Sequence, residues 1–90
     1  MFGMAETPAT DGAAPRVTLF SRRDCHLCDT ARRAVRAVCE PDGVAWAEVD
    51  IDTDPGLQDR YGELVPVVTV DGVQVGYWRI DPERIRSALH

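Results

Sequence analysis

The hydrophobic pattern of the chain switches between period two and period 3.6, and the switches mark the elements. Arg16-Val17-Thr18-Leu19-Phe20 is β-branched and apolar, and gives way to Ser21-Arg22-Arg23-Asp24, which predicts a short strand running into a polar loop. From Leu27 the period lengthens: Leu27, Ala31, Ala34/Val35 and Val38 follow helical spacing up to Glu40-Pro41-Asp42-Gly43, an amphipathic helix with a defined end. Val44 to Ile51 reads as a second strand. Asp54 ahead of Pro55 is an N-cap with a first-turn proline, opening a short helix that includes Leu57 and Tyr61 and closes at Gly62. Pro66 precedes Val67-Val68-Thr69-Val70, Asp71-Gly72 is a two-residue hairpin turn, and Val73 to Tyr77 returns. Asp81 then caps a last helix with Pro82 in its first turn, and Ile80 is spaced to staple onto Ile85.

The order is β-α-β-α-β-β-α. A strand–helix–strand unit is parallel and a two-residue hairpin antiparallel, so the expected fold is α/β, a four-stranded mixed sheet flanked by helices. Met1 to Pro15 carries none of this patterning and reads as a disordered leader, which leaves residues 16–90 as one domain. With 44% apolar positions in 90 residues, one small core is the limit. The net charge of −5 argues against nucleic acid or an anionic membrane as a partner. No apolar run is long enough to span a bilayer and the leader lacks a basic, apolar signal pattern, so the expected location is the cytoplasm. A monomer is the expected state.

Three cysteines are too few, and odd in number, for a secreted disulfide framework. Cys25-His26-Leu27-Cys28 places two of them in the opening turn of the first helix, close enough for a reversible disulfide. Cys25 sits where unsatisfied backbone N–H groups and the helix dipole favour a thiolate; Cys28, one turn inside, is expected to be more buried. That asymmetry suits dithiol exchange, with Cys25 attacking a substrate disulfide and Cys28 resolving the mixed disulfide. Arg22, Arg23 and Arg32 favour the Cys25 thiolate, and Asp24 opposes it unless the carboxylate caps the helix. His26 is either a local cation or an ordinary exposed histidine. Cys39, three helical turns after Cys28, reads as a buried core thiol. Arg32, Arg33 and Arg36 read as a solvated helix face pairing with Asp29, and Asp50, Asp52 and Asp54 as a strand end running into a helix cap.

Val17-Thr18-Leu19-Phe20-Ser21-x-x-x-Cys25-His26-Leu27-Cys28 resembles the opening of a glutaredoxin. Val65-Pro66 and the Asp71-Gly72-Val73-x-Val75-Gly76 hairpin complete a likeness to the thioredoxin fold over residues 16–90. The Cys-His-Leu-Cys form is similar to small bacterial glutaredoxin-like proteins. The resemblance implies a thiol–disulfide oxidoreductase with Cys25 as nucleophile and Cys28 as resolving thiol. It implies that Pro66 is a cis-proline beside them and that Val65 pairs its backbone with a substrate peptide or glutathione. Arg22 matches a glutathione-contacting basic position and Gly76 the first of a glycine pair. Tyr77 replaces the second glycine, Asp24 the usual aromatic before the first cysteine, and His26-Leu27 the usual Pro-Tyr. Tyr77 and Trp78 are open to two readings, substrate contact or sheet-edge packing.

The substrates implied are protein disulfides or glutathione mixed disulfides. No bound cofactor and no metal ligand set are expected, glutathione is a candidate co-substrate, and the electron donor is not named by the sequence. Two other readings use the same residues. One is a zinc or iron–sulfur module built on Cys25; the other is a catalytically silent thioredoxin-fold interaction domain.

Overall fold

In the computed structural model, which describes residues 15–90, the first apolar run forms β1 (Val17–Ser21). Its alternation sends Val17 and Leu19 into the main core and Phe20 to the opposite face. Helix α1 (His26–Cys39) follows, with Ala31, Ala34, Val35 and Val38 on its buried stripe, as the 3.6-residue spacing requires. β2 (Trp46–Asp50) begins two residues later than the apolar pattern suggests and pairs parallel to β1 in the register Val17↔Trp46 to Ser21↔Asp50.

β2 does not run on through Ile51. The Asp50 carboxylate accepts the Asp52 N–H, turning Ile51–Thr53 into a 3-10 turn that still buries Ile51. α2 (Pro55–Tyr61) opens on the Asp54 cap, whose carboxylate accepts the Gly56 N–H at 2.8 Å. β3 (Val67–Val70) and β4 (Val73–Tyr77) form the hairpin. Asp71 and Gly72 both have positive φ, as a type I′ turn requires, and the Arg16 guanidinium holds the Asp71 carboxylate by two bonds of 3.0 and 2.8 Å. α3 (Pro82–Leu89) is capped by Asp81, with Ile80 and Ile85 both against the core.

The sheet order is β2-β1-β3-β4, with β1–β3 and β3–β4 antiparallel. β1 and β3 are central, and β3 is accordingly buried at every position. Leu19↔Val68 and Val17↔Val70 point to the face covered by α1 and α3, where Val35, Val38, Cys39 and Ile85 complete the core. α2 buries no residue fully; Tyr61 stacks on Phe20 at 4.6 Å between ring centroids and so ties α2 to the other face. The α/β sandwich expected from the pattern is the one found. The expected leader lies outside the described residues except for Pro15. Among those described, no helix is long and apolar enough to cross a membrane.

The register also gathers one end of the sheet. β1 ends at Ser21 opposite Asp50, Phe20 pairs with Val67, and Val67 pairs with Tyr77. The Cys25 loop, the Val65–Pro66 segment and the Tyr77-Trp78 pair therefore leave the sheet at the same end.

Candidate active site

Cys25 is itself the N-cap of α1. Its backbone is extended, and its sulfur accepts the Cys28 N–H at 3.1 Å, taking the place a cap oxygen usually fills. The Cα atoms of Cys25 and Cys28 are 5.2 Å apart and the two sulfurs are joined as a disulfide. Cys25 is half-buried and Cys28 is 1% exposed, the difference in burial expected from their places in the first helical turn. Asp24 does not cap the helix. It occupies the left-handed region at φ 56°, so the chain reverses sharply just before Cys25.

Cys25 opens onto a polar cleft of about 420 Å³ lined by Arg22, Arg23, Asp24, His26, Asp29 and Arg32. Arg22 is anchored on its far side: it donates to Asp52 Oδ1 at 2.9 Å and to the Gly62 carbonyl at 3.3 Å, which ties the loop before Cys25 to the turns on either side of α2. His26 is exposed in the first turn of α1. Arg23 makes no ion pair among the described residues.

Arg32 does more than pair along its own helix. Nη1 donates to Asp29 at 2.7 Å, while Nε and Nη2 straddle the two oxygens of Glu48 on β2, each at 2.6 Å. Glu48 also accepts the Ser21 hydroxyl at 2.7 Å. Ser21 therefore ends β1 as a buried strand residue, not as the first residue of the loop. The guanidinium holds the Glu48 carboxyl below the usual carboxylate range; Ser21 adds to this and burial opposes it. The two carboxylates in turn raise Arg32 further above its already high value. The helical spacing of Arg32 and Asp29 revealed half of this cluster. The other half needed the strand register, which no local pattern carries.

On the other flank the Val65–Pro66 peptide is cis. The Val65 N–H donates to the Tyr61 carbonyl at 3.1 Å. Trp78, at φ 60°, is fastened to this loop. Its backbone N–H reaches the Pro66 and Leu64 carbonyls at 2.9 and 3.2 Å, and its indole N–H donates to the Glu63 carbonyl at 2.8 Å. Tyr77 meets Trp78 edge to face at 5.5 Å, and both rings remain about half exposed, as does Leu27 between the cysteines. At Gly76 an added Cβ would sit 3.4 Å from Ile80 Cδ1, an ordinary contact, so packing alone does not demand glycine there. Cys39 is fully buried in the core, and burial, followed by Asp42 and Glu40, raises its thiol above the ordinary value. Among the described residues no group of three or more His, Cys, Asp or Glu side chains is arranged to hold a metal ion.

A paired Cys-x-x-Cys at a helix start and a cis-proline thus leave the same end of a β2-β1-β3-β4 sheet. The sequence profile of the glutaredoxin-like domain family DUF836 matches residues 16–90. The chain belongs to this family. An uncharacterized protein of Mycobacterium tuberculosis is 30% identical over 80 residues, covering 83% of this chain and 82% of the relative. Among solved structures, a structural-genomics target protein from X. campestris superposes with a TM-score of 0.66 at 39% identity, covering 81% of this chain and 93% of that one. Fasciola hepatica thioredoxin, 23% identical, superposes with a TM-score of 0.55 over 81% of this chain and 75% of its own, a likeness of fold. The DUF836 chain is thus a glutaredoxin-like protein with a thioredoxin fold.

Proposed function

We propose that this DUF836 protein is a thiol–disulfide oxidoreductase that reduces protein disulfides or glutathione mixed disulfides. The observation that carries the reading is the asymmetry of the Cys25–Cys28 pair: one half-buried sulfur at a helix N-terminus, the other buried within bonding reach. In the reduced protein the N–H groups and dipole of α1 favour thiolate at Cys25. That thiolate attacks a substrate disulfide, forming a Cys25–substrate bond and expelling one substrate thiolate. Cys28 then attacks the Cys25 sulfur, and its proton passes to the second substrate sulfur as that leaves as a thiolate. The Cys25–Cys28 disulfide forms, the second substrate thiol leaves, and two electrons have passed to substrate. An external dithiol, or two molecules of a thiol such as glutathione, returns the pair to the reduced form.

Substrate contacts on this reading fall on both flanks. Arg22 and His26 line the cleft, and Val65, Pro66, Gly76 and Tyr77 border the opposite side. With the Val65 N–H engaged by Tyr61, the Val65 carbonyl makes the first backbone contact, and full strand-like pairing requires that N–H to change partner. No resident cofactor is needed. The partners are disulfide-bearing proteins and an electron donor, the protein acts as a monomer, and the cycle belongs in a reducing compartment such as the cytoplasm.

The test is a trap. Cys28→Ser, reduced and exposed to a disulfide-bearing protein such as insulin, is expected to accumulate a mixed disulfide that peptide mass mapping assigns to Cys25. Cys25→Ser is expected to form none and to lose insulin reduction altogether. A mixed disulfide at Cys28 in the Cys25→Ser protein, formed as fast as the one at Cys25, would reverse the roles and overturn this mechanism.

A further inference from the structure

The cations near Cys25 are not equally free to act on it. Arg22 is taken by Asp52 and the Gly62 carbonyl, and Arg32 has all three nitrogen donors engaged, two by Glu48 and one by Asp29. Arg32 nonetheless lines the same cleft as Cys25. The Arg32–Glu48 pair is also the most shielded ion pair among the described residues, with side chains 32% and 28% exposed. Partly shielded charges act on a nearby thiol with less screening than fully solvated ones. The carboxylate that holds Arg32 comes from the sheet and is itself held by the Ser21 hydroxyl, so the guanidinium is tied to β2.

We propose that the Ser21–Glu48–Arg32 clasp sets the thiolate fraction of Cys25: Arg32 is a positioning residue whose charge favours the thiolate, and Glu48 is the counter-charge that limits it. The other groups facing the sulfur are Arg22, Arg23 and Asp24 from the loop and His26 and Asp29 from α1. Asp50 lines the adjoining cleft with Glu48, Arg36 lies one turn along α1, and Tyr77 ends β4 at the same end of the sheet. These set the baseline from which the clasp acts. Two carboxylates around one guanidinium leave the cluster one negative charge in excess. Glu48 therefore restrains the reactivity of Cys25, and a thiol kept nearer its ordinary titration range is a better nucleophile once ionised.

The inference rests on Cys25 being the attacking sulfur, and its test separates the two. The reduced full-length chain is alkylated with iodoacetamide across a pH series, and labelling rates are read for each cysteine by mass spectrometry. Glu48→Gln, which keeps an amide oxygen for Arg32, is expected to lower the midpoint of Cys25 labelling by about half a pH unit. Arg32→Gln is expected to raise it by a similar amount, and the double variant, which loses one charge of each sign, to return close to the wild-type midpoint. A merely structural role would move the Cys25 midpoint in the same direction in both single variants, or not at all, and either result overturns the inference. Should Arg32→Gln fail to fold, the Glu48→Gln arm alone decides. If the pH-dependent label falls on Cys28, it is the assignment of the attacking thiol that fails.

Discussion

Ser21 and Glu48 show how much a single polar side chain can hide from a sequence. Ser21 follows an apolar run and precedes Arg22-Arg23-Asp24, so it has the look of a loop residue, yet it is buried at the end of β1 with its hydroxyl on Glu48. Glu48 alternates correctly within β2, but alternation does not say which helix residue waits across from it; that depends on the parallel register of β1 and β2. The cysteines were legible for the opposite reason. Their chemistry depends on local spacing within one helical turn, and local spacing is what a sequence displays. Glu48 also links the site to stability. Its folded value is lowered, so its contribution is complete above the unfolded carboxylate range, near pH ~4.3, and is lost as pH falls through the lower folded value. Thermal unfolding between neutral pH and pH ~3 is therefore expected to fall more steeply for the wild type than for Glu48→Gln. Parallel curves would mean that the ion pair contributes nothing to the fold.

The same division holds for whole elements. α3 announced itself through Asp81, Pro82 and the Ile80/Ile85 spacing, and each does in the structure what its chemistry requires. The Asp81 carboxylate accepts the Glu83 N–H at 2.9 Å, a bond worth roughly 0.5–2 kcal/mol to a helix start. Asp81→Ala is expected to lower the unfolding free energy by that order, read as a lower urea midpoint with the slope of the transition unchanged. A changed slope would mean that α3 detaches and not merely that its first turn frays. β2 was the element least well bounded. Its apolar run continues into Ile51, but the Asp50 side chain competes for backbone N–H groups and tightens the chain into a 3-10 turn. Trp78 is a second instance. A bulky residue at positive φ has no sequence signature, and its place follows from the three hydrogen bonds that lock it to the Glu63–Pro66 segment.

For the molecule as a whole, one core under α1 and α3 carries the fold, and its centre is Leu19 opposite Val68. Leu19→Ala, which leaves a cavity between sheet and helix, is expected to cost about 2–5 kcal/mol in chemical denaturation, a large fraction of what a domain of this size holds. A loss under 1 kcal/mol would contradict this view of the core. The topology was readable because it follows from two connections, the β-α-β crossover and the Asp71-Gly72 turn. What the connections could not give is the convergence of Cys25, Pro66 and Tyr77 at one end of the sheet; only the family resemblance anticipated part of it. That convergence matters if the molecule shuttles electrons in pairs, which is the central claim. It is tested most directly by equilibrating the protein over a graded ratio of reduced to oxidised dithiothreitol, quenching with an alkylating agent and mapping every cysteine. The expected result is a single two-electron transition in which Cys25 and Cys28 are both alkylated or both joined, with Cys39, buried and raised by that burial, free throughout. A disulfide that draws in Cys39, or a Cys25–Cys28 pair that never closes at the oxidising end, would contradict it.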